Sequence, residues 1–300
     1  MSAQRPVFSG IYPMQYALFT RSGGLDRAAM RRQVEGCIGG GAHGLAVLGL
    51  GTEVAKLSGS ERHTLVEWVT GDVAGRVPVA VTVAGSSVDE QAALAEHARA
   101  CGADWVILQP PPERGLPESY YAEFFARVME RVELPVAIQN APEYIGVGLS
   151  DDSLLRLARG HPNFVLLKGE GPALAIRRSI EALAGALAVF NGRGGLELPD
   201  NLRAGCAGMI PATDTFDRQV RIFAQMRAGD EDAAERIYRE VLPVMVFVMQ
   251  SLDTLICYGK RIAAWRLGLN DVHDRAPCLA PDAFGLACAR RYADSLGPLP

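Results

Sequence analysis

Eight times in the first 229 residues a short apolar run gives way to a stretch with helical punctuation, and this alternation leaves few folds open. The runs lie at residues 7–14, 44–49, 77–84, 105–108, 134–139, 164–168, 187–190 and 207–210. A short apolar run bounded by turn residues reads as a strand covered on both faces, as in parallel sheets. Between the runs stand helix signals. Asp26 caps a helix over 27–38 that closes in Gly39-Gly40-Gly41, and Ser58-Gly59-Ser60-Glu61 has the spacing of a capping box for a helix reaching about residue 71. Ser87 opens the next helix, which runs to Cys101-Gly102, and helices follow at 120–131, 150–159, 174–183, 200–203 and 215–227.

Strand and helix in strict alternation build a parallel sheet. Eight units in about 230 residues is the size of a (β/α)8 TIM barrel. An open doubly wound sheet is the alternative, but the first βα turn carries no G-x-G-x-x-G. Residues 230–300 change character: strands disappear, and periodic apolar runs at 237–252, 254–267 and 283–296 read as a C-terminal helical layer packed on the 1–229 barrel. The very apolar stretch 241–249 is expected to be buried against the barrel or in an oligomer contact.

Bulk properties exclude several function classes. A net charge of −4 offers no basic surface for nucleic acid. No window approaches 18 uninterrupted apolar residues, so no membrane span is expected, and Met1 to Pro6 lack the apolar core of a signal peptide. The six cysteines include no C-x-x-C pair, which points to reduced thiols in a cytoplasmic protein. There is no H-E-x-x-H, and His43, His63, His97, His161 and His273 fall on or near helices, so neither a metal site nor a Ser-His-Asp arrangement is expected.

In such a barrel the reacting groups come from the C-terminal ends of the strands. Only one lysine falls there: Lys168, at the end of Phe164-Val165-Leu166-Leu167. Lysine is scarce in this chain, with Lys56, Lys168 and Lys260 beside 27 arginines. An amine can lose a proton and attack a carbonyl, whereas a guanidinium cannot. The plainer reading is a strand-end lysine that reaches out to water. Arg193, after the seventh strand, is placed to hold a carboxylate bidentately, or simply to pair within its loop. For Glu53 the stronger reading is an acid that caps its own loop.

These residues resemble the dihydrodipicolinate synthase / N-acetylneuraminate lyase family of Schiff-base aldolases and lyases. The likeness runs through Gly44-Leu45-x-x-Leu48-Gly49, Glu53-x-x-x-Leu57-Ser58, Leu134-Pro135-Val136, Asn140-x-Pro142, the apolar run to Lys168, and Arg275-Ala276-Pro277. The resemblance implies a barrel with a C-terminal helical layer, a homo-oligomer (dimer or tetramer), and pyruvate or a related 2-oxo acid held as a covalent imine on Lys168, with no other cofactor. It implies substrate contacts from Gly51, Thr52, Asn140 and Ile210.

The departures are as informative. The family's G-T-T-G-E loop reads Gly49-Leu50-Gly51-Thr52-Glu53, and its proton-relaying tyrosine is replaced by Gln139. A second family tyrosine falls at Pro112, the synthase's arginine appears as Tyr144, and G-D-D becomes Gly192-Arg193-Gly194. An amide has no accessible proton to exchange near neutrality. The chain is therefore not expected to be a true dihydrodipicolinate synthase. The expectation is a lyase or aldolase for pyruvate or a sugar-derived 2-oxo acid, with Lys168, Gln139 and Glu170 catalytic, Tyr144 or a Gln139-held water as further proton carriers, and Arg193 meeting a second anionic group. The alternative is a 2-oxo-acid-binding regulatory protein without turnover.

Overall fold

The computed structural model describes residues 8–300. Val7, expected to open the first strand, and the Met1 to Pro6 segment lie outside the described residues. Eight parallel strands follow in the order β1 (Gly10–Ile11), β2 (Leu45–Val47), β3 (Val79–Val83), β4 (Trp105–Leu108), β5 (Val136–Asn140), β6 (Phe164–Gly169), β7 (Ala188–Asn191) and β8 (Gly208–Met209). Each pairs with its sequence neighbour, and β8 pairs with β1. The last gap is closed by a parallel bridge between Met14 and Ala46, with Gln15 N–H donating to the Ala46 carbonyl. The sheet is a closed (β/α)8 TIM barrel, and the open-sheet alternative is excluded.

Around it run α1 (Arg27–Gly39), α2 (Gly59–Val73), α3 (Val88–Ala100), α4 (Glu118–Met129), α5 (Pro142–Ile145), α6 (Asp151–Gly160), α7 (Ala173–Leu183), α8 (Leu198–Arg203) and α9 (Phe216–Ala228). The expected caps are present. Asp26 accepts from the Ala29 amide, Ser58 and Glu61 form a reciprocal capping box, and Ser87 accepts from the Glu90 amide. Several boundaries differ by a few residues, and two of the differences have a proline as their cause. α4 begins two residues early because Pro117, with its extended backbone, ends the preceding loop. The loop expected after β5 winds into α5, whose first residue is Pro142, a residue preset for a helix start.

The C-terminal layer is α10 (Glu231–Val248), α11 (Leu252–Thr254), a π-helical turn (Leu255–Gly259), α12 (Lys260–Arg266) and α13 (Ala283–Leu296). Of the apolar stretch 241–249, Val241, Val244, Met245 and Val248 are buried, while Val246 is exposed. Among the described residues no single helix is long and apolar enough to cross a membrane.

Successive strand residues face opposite sides of the sheet, which sorts the core into two layers. Leu45, Val47, Val79, Val81, Val106, Leu108 and Ile138 pack outward beneath the helices. Ala46, Ala80, Trp105, Ile107, Ala137, Leu166 and Phe190 fill the barrel interior. Alanines from β2, β3 and β5 leave room for the rings of Tyr12, Trp105 and Phe190, whose centroids lie 5.5 to 5.8 Å apart. These rings plug the barrel, and Gly44 must be glycine because any Cβ there would meet the Tyr12 ring at 2.1 Å.

Candidate active site

The inward parity that buries Leu166 carries Lys168, and two residues on Glu170, to the same face at the top of β6. The same rule places Gln139 above Ala137 on β5, with Gln139 and Lys168 in register. Above the aromatic plug the barrel therefore changes from apolar to polar. Lys168 is 4% exposed and Glu170 8% exposed. Their ion pair measures 2.7 Å, from Lys168 Nζ to Glu170 Oε1.

The carboxylate is held from behind. Gln109 Nε2 donates to Gln139 Oε1 at 2.8 Å, and Gln139 Nε2 donates to Glu170 Oε1 at 2.9 Å. The first bond fixes which way the Gln139 amide points, and so makes its nitrogen the group that meets Glu170. Gly192 leaves the space that Glu170 occupies, since a Cβ there would come within 2.9 Å of Oε1.

Lys168 and Glu170 open on a cavity of about 50 Å³. Gly51, Tyr144, Arg193 and Ile210 share its wall. Gly51 lies in the 3-10 turn Leu50–Thr52, and among the described residues its amide has no acceptor. Arg193 reaches the cavity from a left-handed backbone (φ 53°), in the 3-10 turn Arg193–Gly195. Its Nη1 is 3.1 Å from Glu197 Oε2, while its buried Nε has no partner among the described residues.

Not every expected residue is brought to the cavity with a free group. The Thr52 hydroxyl is spent on the Gln15 carbonyl at 2.6 Å, and Thr52 is outside the cavity wall. Asn140 bonds both ways to the Leu149 backbone and pins the loop after α5. Ile210 lines the cavity, but its amide donates to the Asn191 carbonyl at 2.8 Å. Gln139 stands one layer back, touching Glu170.

Sequence reasoning missed the contribution of the C-terminal layer. Met249, Leu252 and Leu255 complete the cavity wall. It also missed Lys260. That lysine is fully buried and paired with Glu53, which is itself 2.6 Å from Lys56. Asp274 lies 3.7 Å from the Lys260 nitrogen and also pairs with Arg261 at 2.5 Å. Glu53 takes a left-handed backbone (φ 59°) immediately after the Gly51 turn, so this cluster clamps the turn against α12. The available signal was the scarcity of lysine, which singled out Lys260 as much as Lys168. Among the described residues no group of three or more His, Cys, Asp or Glu could hold a metal ion.

A closed (β/α)8 barrel with one buried amine at its C-terminal mouth has the architecture of the lysine-bearing lyase barrels. The sequence model of the Dihydrodipicolinate synthetase family matches residues 7–282. YjhH of Escherichia coli K12, named for 2-dehydro-3-deoxy-D-pentonate aldolase activity, is 31% identical over 260 residues, covering 84% of this chain and 86% of YjhH. L-2-keto-3-deoxyarabonate dehydratase of Azospirillum brasilense is 32% identical over 253 residues, 81% of each chain. Among solved structures, YagE from E. coli K12 in complex with pyruvate superposes with a TM-score of 0.87 at 24% identity, over 97% of this chain and 99% of that one, which speaks for the fold. The chain belongs to the dihydrodipicolinate synthetase family, and with it to the lyases.

Proposed function

We propose that this protein is a Schiff-base lyase that works through Lys168 on pyruvate or on a 2-oxo acid containing the pyruvyl unit, as the sugar-derived acids in the relatives' names do. The observation that carries the reading is the Lys168–Glu170 pair, 2.7 Å apart and opening on a hollow the size of a small metabolite's reactive end. Glu170 accepts a proton from the ammonium, and the free amine adds to the C2 carbonyl. Loss of water gives a protonated imine. Where the substrate bears a 4-hydroxyl, a base removes the hydroxyl proton, the C3–C4 bond breaks, and its electron pair flows into the iminium to leave an enamine. The aldehyde departs, the enamine is protonated at C3, and water releases pyruvate and the amine. Glu170 is the proton carrier in reach, and Gln139 is a positioning residue that keeps its carboxylate turned to Lys168. The unpartnered Gly51 amide receives the substrate carboxylate.

We read the 1–229 barrel as the seat of the chemistry, the 230–300 layer as its cover, and the enzyme as a cytoplasmic homo-oligomer. All six cysteines are free, which supports a reducing compartment. One observation favours a 2-oxo-acid sensor instead: Gln139 at the relay position cannot exchange a proton. Product formation separates the two. Pyruvate release from a panel of 4-hydroxy-2-oxo acids, by the native chain and by Lys168→Arg, is expected only for the native chain. Imine formation without release from any of the panel supports the sensor.

A further inference from the structure

The relatives' names point to polyhydroxylated acids, but the wall of this cavity is built for something else. Most of its side chains are wholly apolar, the largest being Met14, Leu50, Ile210, Met249, Leu252 and Leu255. The polar groups are few and mostly engaged. Lys168 and Glu170 pair with each other and Arg193 has its charge matched by Glu197, which leaves the buried Arg193 Nε–H, the Gly51 amide and the Tyr144 hydroxyl. A second anionic group would find no unpaired cation here.

The cavity also has a neighbour. A larger hollow of about 490 Å³ shares Leu50 and Leu252 with it. Its wall continues the pattern with Val54, Ala55, Ile256 and Leu279. Of the three charged residues beside it, Glu53 and Lys56 are paired to each other and Glu53 also to Lys260, while Asp253 is exposed at its edge. A sugar chain lodged there would strip its hydroxyls of water and find few partners, whereas an apolar chain would gain from the same transfer.

We propose that the substrate is a 4-hydroxy-2-oxo acid whose portion beyond C4 is an alkyl or aryl group, running from Lys168 between Leu50 and Leu252 into the second hollow. This rests on the Schiff-base reading and specifies its substrate class. Cleavage follows the balance given above: the C3–C4 bond breaks, the hydroxyl proton goes to the base, and pyruvate and an apolar aldehyde leave.

The test runs in the condensation direction with the full-length protein. Pyruvate is supplied with isobutyraldehyde or benzaldehyde on one side, and with D-glyceraldehyde or glycolaldehyde on the other. Borohydride trapping of pyruvate alone serves as an independent check on the imine. The expected result is a kcat/KM at least about 100-fold higher for the apolar aldehydes, since each methylene seated in an apolar pocket contributes roughly tenfold or more. Leu252→Asn should narrow that ratio at least about tenfold. Equal or better use of glyceraldehyde, with trapping intact, overturns the apolar tail and leaves the imine standing. Trapping with neither kind of aldehyde turned over overturns it as well. Absence of trapping removes the imine reading itself, and the tail with it. The native ratio decides the matter even if the variant does not fold.

Discussion

Two buried lysines, each facing a glutamate, occupy opposite situations in this molecule. Lys168 ends a barrel strand, meets one carboxylate, and borders a hollow. Lys260 opens α12, is fully buried, lies between Glu53 and Asp274 with the Phe19 ring 5.2 Å away, and lines neither cavity. Burial of an amine is common to both and so cannot mark the reactive one. What separates them is access to a space where a carbonyl could sit, and the number of acceptors that hold the proton. Lys260 is a fastener between the Gly51 turn and the C-terminal layer; Lys168 has one carboxylate partner and an open space beside it.

The comparison can be broken most severely at Lys168 itself. Lys168→Arg keeps the positive charge beside Glu170 and removes the nucleophile, so kcat should fall at least about 10⁴-fold with the melting temperature little changed. Steady-state turnover with circular dichroism measures both; residual activity within tenfold of native would show that Lys168 is not the nucleophile. Lys260→Met should do the reverse. It leaves Glu53 with only Lys56, and stability should drop by about 3 kcal/mol or more, as when one partner of a buried pair is removed. Urea unfolding checks it, and a loss below about 1 kcal/mol would deny the fastening role.

Glu170→Gln sharpens the chemical side. It keeps the shape of the side chain and removes its capacity to carry a proton, so kcat should fall about 10²- to 10³-fold while pyruvate can still be trapped on Lys168. A kcat unchanged across the pH range would move the proton-carrying role elsewhere, with Tyr144 next in line on the cavity wall.

The smallest effect concerns a second fastener of the C-terminal layer, Arg275 to Glu61 at 2.7 Å. The guanidinium holds the Glu61 carboxyl down at about 2 from its usual 4.5. A depressed folded value means the contribution is full above pH 4.5 and disappears as pH falls through about 2. Partly exposed as the pair is, it should supply about 1 kcal/mol. Acid titration of stability should show that slope in the native chain and lose it in Arg275→Ala. Asp214 acts in the other direction: burial raises its carboxyl from 3.8 to about 6, so its share of stability is present at low pH and is lost as pH rises through about 6.

Much of this architecture was legible because it is local. Strand parity and turn residues revealed the eight units, the capping residues stated their own helices, and Lys168 announced itself by ending an apolar run in a chain nearly empty of lysine. The side chains of Thr52 and Asn140 were placed on the right loops, yet the scaffold itself consumes their hydrogen bonds, with Gln15 and Leu149. Nothing in the spacing of Glu53 and Lys260, 207 residues apart, tells that they meet. For the same reason the cavity's apolar cover was hidden: Met249, Leu252 and Leu255 reach it only through the bend between α10 and α12. The exchange of a relay tyrosine for Gln139 was visible as a loss. Glu170 was already legible as a candidate proton carrier; that Gln139 itself holds its carboxylate beside Lys168 needed three dimensions.

The central claim is that one amine of three reacts. Borohydride reduction in the presence of pyruvate, followed by peptide mass mapping, reads it directly. The account predicts a single reduced adduct on Lys168, with Lys56 and Lys260 unmodified. A missing adduct, or one on Lys260, would contradict it.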